Sequence, residues 1–337
     1  MQRRLWFLGV VVALTSSAWA EFELPSGGRS ADTDTQQRRP WDLSIRTFFG
    51  YNDNVQVVPD DSFFSGNSED FSMGATLTGV YRPIQEDGFV VGLTLQATHL
   101  LHLQNTHGGD GSSSDYDMTT AAPGVFVMFN YEVFDIPVTK TLTYTFRFEE
   151  GRDIEAIGLE SHAIGVNCAL HLRPDFDLIL AYVHGWDDYD VTFPDPELDD
   201  RDGQRDSISV TGKYTWDRGL RNVAVTYTFV HNDAEGRNFD YDSHGIRGRI
   251  ESHLIASLWG ALELGYSYGD YRGFVSGFVP PPGRERQESL NVSLQLIYVV
   301  SEKWSVDFFY QFSQQMANTD QFESETHIVG GGVTFRF

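Results

Sequence analysis

The stretch Thr141-Leu142-Thr143-Tyr144-Thr145-Phe146-Arg147-Phe148-Glu149 alternates between polar and apolar side chains without a break. Its apolar positions are Leu142, Tyr144, Phe146 and Phe148. Successive side chains of a β-strand point to opposite faces, so this stretch predicts a strand with one apolar and one polar face. What kind of sheet such a strand joins depends on how often the pattern recurs along the chain.

The same alternation recurs, with differing regularity, along most of the chain, and we predict about 14 strands. Most are close to the length that a tilted strand needs to cross a bilayer. In chain order the predicted strands are Trp41–Tyr51, Phe71–Tyr81, Phe89–Leu101, Met118–Tyr131, Thr141–Glu149, Leu159–His171, Phe176–Trp186, Ile208–Trp216, Val223–His231, Tyr241–Leu254, Leu258–Tyr268, Leu290–Tyr298, Trp304–Phe312 and Val329–Phe337.

The connections between these strands alternate between long and short. Asn52–Asp70 and Asp187–Arg205 are long, whereas Pro83–Gly88 and Asp217–Leu220 are short. Short periplasmic turns and long outer loops are the asymmetry of bacterial outer-membrane barrels, and aromatic residues gather near the strand ends, as at membrane interfaces. We therefore predict a transmembrane antiparallel up-and-down β-barrel over residues 41–337. A soluble β-sandwich, the alternative, would pack its aromatic residues in mid-strand.

The N-terminus carries the features of an export signal. Met1–Arg4 is basic, Leu5–Leu14 is apolar but too short to span a bilayer, and small residues up to Ala20 suit a signal peptidase. We expect residues 1–20 to be a signal peptide cleaved after Ala20. Residues 21–40 would then form a short periplasmic tail, and the mature protein would reside in the bacterial outer membrane.

The overall charge excludes some partners and suggests others. A formal net charge of −24 argues against nucleic-acid binding. Acidic residues crowd the predicted outer loop Asp187–Arg205, which favours cations at that mouth. Leu198 occupies the first-ligand position of a possible calcium loop, so we expect no calcium site there. We expect no other metal and no cofactor. Cys168 is the only cysteine, which rules out an intramolecular disulfide.

Two short motifs resemble those of known outer-membrane families. The last strand, His327–Phe337, resembles the C-terminal assembly signal of bacterial outer-membrane proteins, with Phe335 and Phe337 as its aromatic residues. That resemblance implies recognition by the barrel-assembly machinery and contact with outer-membrane lipid and lipopolysaccharide. Gly50–Val55 resembles the end of the first strand in uncharacterised porin-like barrels, in capsule-associated barrels and in the barrel part of surface-lipoprotein assembly modulators.

Charged residues on the polar parity of their strands are the candidates for the barrel lumen, because charge is costly on a lipid face. They could build a transverse field that selects solutes, or an ion-pair network that braces the wall. His162 is a further polar candidate. The principal candidates are Arg46, Arg147, Lys213, Arg247, Arg249, Glu251, Glu263, Asp307 and Arg336.

These patterns favour a porin-like channel for small hydrophilic solutes, with a preference for cations. The alternative is a barrel that serves export or surface assembly of a polysaccharide or protein, and a closed anchor or receptor is a third class. Ser161-His162, Ser252-His253 and His184 near Asp187 offer catalytic residue types without a surrounding motif, so we do not expect an enzyme. The pattern leaves the solute, gating and oligomeric state open.

Overall fold

The computed structural model describes residues 39–53, 70–103, 117–151, 158–190, 200–272, 285–317 and 323–337. Within them, fourteen antiparallel strands close into a single barrel, in which each strand pairs with its neighbours in sequence and β1 pairs with β14. The strands are β1 Trp41–Asn52, β2 Asp70–Glu86, β3 Phe89–His102, β4 Met118–Val133, β5 Ile136–Gly151, β6 Leu159–Arg173, β7 Phe176–Tyr189, β8 Gly203–Trp216, β9 Arg221–Ala234, β10 Tyr241–Ile255, β11 Leu258–Tyr271, β12 Arg286–Val299, β13 Trp304–Ala317 and β14 Ser324–Arg336. The predicted up-and-down barrel of about 14 strands is confirmed.

Several strands are longer than the alternation predicts, some at the short turns and, from β7 onward, mainly at the long loops. β5 begins at Ile136, five residues before the alternating stretch, and β2 continues past Pro83. As a result the β4–β5 turn consists of Phe134 and Asp135 alone, both with positive φ (51° and 63°). Two residues with positive φ match the twist of the strands they join. The alternation fades there because the strand has left the apolar band, while the backbone ladder continues.

The two faces of the sheet differ in a way that soluble proteins do not show. In β10, Ile246, Ile250 and Leu254 are about half exposed, whereas the intervening Arg247 and Arg249 bind acidic side chains. Apolar side chains are exposed on the same face in nearly every strand. A continuous exposed apolar surface is typical of a wall that faces lipid.

Contacts that reach over a strand identify the concave face. Arg46 of β1 binds Asp307 of β13, and the two strands are separated by β14. Side chains converge on the inside of a barrel, so the polar parity points inward and the apolar parity outward. Among the described residues, no helix is long and apolar enough to cross a membrane. The predicted signal peptide and residues 21–38 of the predicted tail lie outside the described residues.

Candidate functional site

The nine principal charged candidates all lie on the concave face of the barrel. Residues that pair directly across an antiparallel ladder share a face. Arg46, Arg336 and Asp307 belong to one continuous set of such pairs at the seam where β1 meets β14, and the other six belong to the corresponding sets on β5, β8, β10 and β11. Their contacts divide them into a seam pair, a mid-wall network, an outer cluster and an inner end.

The seam pair consists of Arg46 and Asp307. Arg46 Nε donates to Asp307 Oδ1 at 3.0 Å and Nη2 donates to Oδ2 at 2.5 Å, so the contact is bidentate. The guanidinium also lies 5.2 Å from the ring centre of Phe48 and 5.4 Å from that of Phe309. A Cβ at Gly332 would come within 3.0 Å of both Arg46 Nε and Asp307 Oδ1. Because Gly332 has no side chain, Arg46 and Asp307 can form their ion pair across β14.

The mid-wall network joins Arg247 and Arg249 of β10 to Glu251 of the same strand and Glu263 of β11. Arg249 Nη1 lies 3.2 Å from Glu263 Oε2 and its Nη2 lies 2.7 Å from Glu251 Oε1, while Arg247 Nη1 lies 3.9 Å from Glu263 Oε1. Asn222 of β9 donates to Glu251 at 2.8 Å. These contacts join residues of the same strand or of adjacent strands, so they run along the wall of the barrel.

The outer cluster lies where β5, β7 and β8 approach the long loops. Arg147 forms an ion pair with Glu149, whose side chain is fully buried. Asp187 accepts a hydrogen bond from Ser161 at 2.5 Å and lies 3.7 Å from Arg205. Arg147 of β5 also interacts electrostatically with Arg205 of β8, three strands further on. The cluster thus projects into the lumen from several strands.

Three tyrosines extend the outer cluster along the concave face. Tyr189 and Tyr241 interact electrostatically with Asp187 and Arg205, and the rings of Tyr241 and Tyr271 lie 5.1 Å apart. The sequence analysis missed Tyr189 because it assigned 187–205 to a loop, whereas β7 continues to Tyr189 and β8 begins at Gly203. Continuing the alternation of β7 from Trp186 to Tyr189 would have placed Asp187 and Tyr189 on the polar face.

Lys213 and Arg336 lie near the short turns, at the inner end. Lys213 is directly opposite Asp177 in the β7–β8 ladder. Arg336 interacts electrostatically with Asp42, which also forms an exposed ion pair with Arg82 at 3.1 Å. The inner end of the lumen therefore carries both signs of charge.

The structure corrects the interpretation of His162. This residue is directly opposite Phe146 in the β5–β6 ladder, so it lies on the outer face with the aromatic residues. Ser161, its neighbour in sequence, points inward and binds Asp187. Adjacent strand residues point to opposite faces, so Ser161 and His162 cannot act together.

The same geometry separates the other catalytic residue types. Ser252 and His253 are consecutive strand residues and lie on opposite faces. His184 lies on the outer face and contacts Asp206 at 2.8 Å, whereas Asp187 lies on the inner face. Within the described ranges, no group of three or more His, Cys, Asp or Glu side chains is arranged to hold a metal ion.

Charged side chains in the middle of the wall remain accessible. Arg247 is 34% exposed and Glu263 is 21% exposed, although both point into the barrel. Arg205 is 45% exposed against 11% for Asp187. In these two pairs, as in those of Arg46 and Arg147, the arginine is the more exposed partner. In the Arg249 pairs, by contrast, Arg249 is 20% exposed and Glu251 and Glu263 are 21% exposed, so the concave surface displays both signs of charge.

Fold, exposed apolar wall and charged concave face together define a transmembrane β-barrel of the bacterial outer-membrane type. The sequence matches no protein-family model and no curated protein. Among solved structures the chain is similar to Acinetobacter baumannii OccAB3, with 10% identity and a TM-score of 0.47 over 88% of this chain and 99% of that one.

The chain is similar to two further solved structures to about the same extent. OmpT, an outer membrane protein of Vibrio cholerae, shows 13% identity and a TM-score of 0.46 over 88% of this chain and 99% of that one. The anion-selective porin from Comamonas acidovorans shows 9% identity and a TM-score of 0.48 over 88% of this chain and 98% of that one. None of the three TM-scores reaches 0.5.

Proposed function

We propose that the protein is a porin-like channel of the outer membrane through which small hydrophilic solutes diffuse. The observation that supports this best is the exposure of Arg247 and Glu263 in the middle of the concave wall. An ion pair packed into a filled interior loses contact with water, and its desolvation is costly. Charged groups that keep a fifth or more of their surface accessible are typical of a wall that lines a water-filled path.

Small residues on the concave face also favour an open path. Near the mid-wall network, two inward-facing positions are occupied by glycine, Gly245 and Gly265. A Cβ on either residue would meet its nearest neighbour only at 3.7 Å or 3.8 Å. These are ordinary van der Waals distances, so the wall has room for a larger side chain at both positions.

The ion preference that we propose is for cations, and it arises at the outer mouth. Asp188, Asp200, Asp202 and Glu235 lie near one another at the loop end of β7, β8 and β9. Asp188 follows the inward Asp187 and therefore lies on the outer face of β7, so this cluster forms part of the rim around the mouth. A rim of one sign of charge concentrates ions of the opposite sign at the entrance. The exposed arginines deeper in the lumen work against this preference, so the net selectivity is set by the balance between mouth and wall.

The test is single-channel conductance of the refolded protein in a planar bilayer, with the reversal potential measured across a salt gradient. The wild-type protein should give repeatable, cation-selective steps. Gly265→Trp should lower the conductance by about a third or more, because an indole of large area enters the lumen. Absence of steps from protein that heat-modifiable mobility shows to be folded would refute the channel.

Gly248→Trp is the matched control for this experiment. Gly248 is in β10 and is directly opposite Leu264 of β11, so it lies on the outer face. Gly265 is in the adjacent strand β11 and lies on the inner face. A Cβ there would meet nothing within 4 Å. The same indole placed on the lipid side should leave conductance unchanged, so equal losses in both variants would mean that Gly265→Trp acts through the fold and not through the pore.

The seam bears on the alternative of surface assembly. A barrel that releases its product sideways into the membrane must part its first and last strands. The contact between Arg46 and Asp307 spans that seam and opposes such parting. The geometry therefore favours passage along the barrel axis over lateral release.

A further inference from the structure

Uncharged polar side chains form a patch on the concave wall beside the mid-wall network. Ser293 of β12 is directly opposite Glu263 of β11, and Gln311 of β13 is directly opposite Ser293. Asn291 and Gln295 lie two residues to either side of Ser293, and strand residues two positions apart share a face. We call this group the amide patch, and its members are Asn291, Ser293, Gln295 and Gln311.

The three amide side chains of the patch face the lumen without a hydrogen-bond partner among the described residues. All three are partly exposed. Nearer the long loops the amides behave differently, because Gln287 Oε1 accepts hydrogen bonds from Tyr271 at 3.1 Å and from Gln315 at 3.0 Å. The outer amides therefore bind each other, whereas those of the patch present both donors and acceptors to the lumen.

Several hydroxyl groups elsewhere on the concave wall also bind each other. The Oγ1 atoms of Thr76 and Thr98 lie 3.1 Å apart, and those of Thr211 and Thr226 lie 2.8 Å apart. In each pair the two residues are directly opposite in neighbouring strands. A hydroxyl group that already has a partner in the wall has less to offer a solute, so the amide patch is the part of the wall best suited to bind one.

A hollow lies between the amide patch and the arginines of β10. Gly265 of β11 is directly opposite Arg247 on one side and Asn291 on the other. A Cβ on Gly265 would meet its nearest neighbour, the Cβ of Asn291, only at 3.8 Å. Strands β10 and β12, which flank this position, are about 10 Å apart, since neighbouring strands are separated by about 4.8 Å. The glycine therefore leaves room for a group of a solute between a guanidinium and an amide.

The charges beside the hollow cancel. The mid-wall network contains two arginines and two glutamates, which pair with one another. An ion in the hollow is attracted by one sign and repelled by the other, so it gains little from the network. A neutral solute can still use the network, because Arg247, 34% exposed, offers donors and Glu263, 21% exposed, offers acceptors.

We propose that the amide patch and the hollow at Gly265 bind a neutral polyhydroxylated solute, a sugar or a related polyol. Each hydroxyl group of such a solute donates and accepts hydrogen bonds, as each side-chain amide does. Hydrogen bonds to the wall replace those that the solute loses to water as it enters the lumen. The proposal rests on the proposed channel and names the class of solute for which the channel carries a binding site.

The test measures how added solutes change the current through the refolded full chain in a planar bilayer. Sucrose should lower the conductance of the wild-type protein with a saturable dependence on its concentration. Polyethylene glycol of similar mass carries few hydroxyl groups, so its effect should grow without saturation. Asn291→Leu combined with Gln311→Met should raise the half-saturating sucrose concentration about tenfold or more, because two amides and their hydrogen bonds are lost.

The matched control is Asn167→Leu combined with Gln96→Met. It removes the same two amide types from β6 and β3, on other parts of the concave wall. This control should keep the half-saturating concentration of the wild type. If the double variant of the patch does not refold, Gln311→Met alone serves in its place, with an expected rise of about threefold.

The outcomes separate this proposal from the channel itself. Conducting steps without a saturable effect of sucrose would overturn the binding site and leave the channel standing. Equal half-saturation in the wild type and the double variant, or an equally saturable effect of polyethylene glycol or of zwitterionic glycine, would also overturn it. If no steps appear, the channel fails, and saturation-transfer NMR of sucrose with the folded protein in detergent decides binding, since a signal absent from the wild type refutes the site.

Discussion

The seam and the mid-wall network use the same chemistry in different ways. At the seam, Arg46 and Asp307 are 16% and 5% exposed, lie between two aromatic rings and connect strands that are not neighbours. In the mid-wall network, Arg247 and Arg249 keep more exposed surface and bind acids on their own or the adjacent strand. The comparison teaches that the role of an inward ion pair depends on its burial and on which strands it joins. The buried seam pair stabilises closure of the barrel, and the more exposed mid-wall network sets the charge of the lumen.

The largest effect is expected from removing one partner at the seam. Asp307→Ala leaves the Arg46 guanidinium buried without its carboxylate, which should lower the free energy of unfolding by about 3–5 kcal/mol. The measurement is urea unfolding of the protein refolded into lipid vesicles. Replacing both partners, with Arg46→Met and Asp307→Leu, should recover much of the loss. Equal stability of Asp307→Ala and wild type would mean that the seam pair does not hold the barrel closed.

A smaller loss is expected from crowding the same contact. Gly332→Val introduces a Cβ within 3.0 Å of both partners, so the ion pair has to shift, at a cost of about 1–3 kcal/mol. Gly248→Val, on the outer face where nothing lies within 4 Å, should change stability by no more than about 0.5 kcal/mol. Similar unfolding curves for the two variants would contradict the role assigned to Gly332.

The mid-wall network should affect selectivity more than stability. Arg247→Gln with Arg249→Gln removes two exposed positive charges from the lumen, so the reversal potential should move towards stronger cation selectivity. Because partly exposed ion pairs contribute little, the unfolding free energy should change by less than about 1 kcal/mol per pair. An unchanged reversal potential in the double variant would show that these arginines brace the wall without acting on ions.

The smallest expected effect is a pH dependence at the mouth. Burial, and then the neighbouring carboxylates of Asp200, Asp188 and Glu235, raise the pKa of Asp202. As the pH falls, Asp202 therefore takes up its proton before an ordinary aspartate does, and the mouth loses negative charge. Cation selectivity should begin to weaken at a pH above the usual aspartate range, which is centred at about 3.9.

Asp202→Asn isolates this contribution. The variant lacks the charge at every pH, so the earliest part of the decline in selectivity should disappear from its titration. The reversal potential, measured in steps of pH across a fixed salt gradient, reports the difference. Identical titrations of the variant and the wild type would assign the decline to other groups.

The faces of the strands were predictable wherever the alternation was regular. Arg147 and Glu149 were placed on the polar parity of a nine-residue run, and they lie on the concave face. His162 was misassigned because β6 alternates weakly, so a polar side chain alone suggested the inner face. The ladder places it on the outer face opposite Phe146. Polarity is a poor guide at the headgroup level, where a polar ring on the lipid side is tolerated.

The outer cluster shows a second reason for failure. Acidic residues in 187–205 resemble a solvated loop, yet Asp187, Tyr189 and Arg205 belong to paired strands and converge with Arg147. Composition describes how polar a segment is, but the ladder with neighbouring strands decides where it ends. The burial of Glu149 likewise depends on the residues that surround it in the barrel, and the sequence of its own strand does not predict it.

By itself, the sequence determined the number of strands, their alternating faces and the rhythm of short and long connections, because each of these depends on residues a few positions apart. Tertiary structure decided which charges meet. Arg46 and Asp307 are 261 positions apart in the chain, and only closure of β1 onto β14 in one register brings them together over Gly332. Period-two patterning carries no information about that register between distant strands, so the partners of the inward charges are fixed only when the barrel closes.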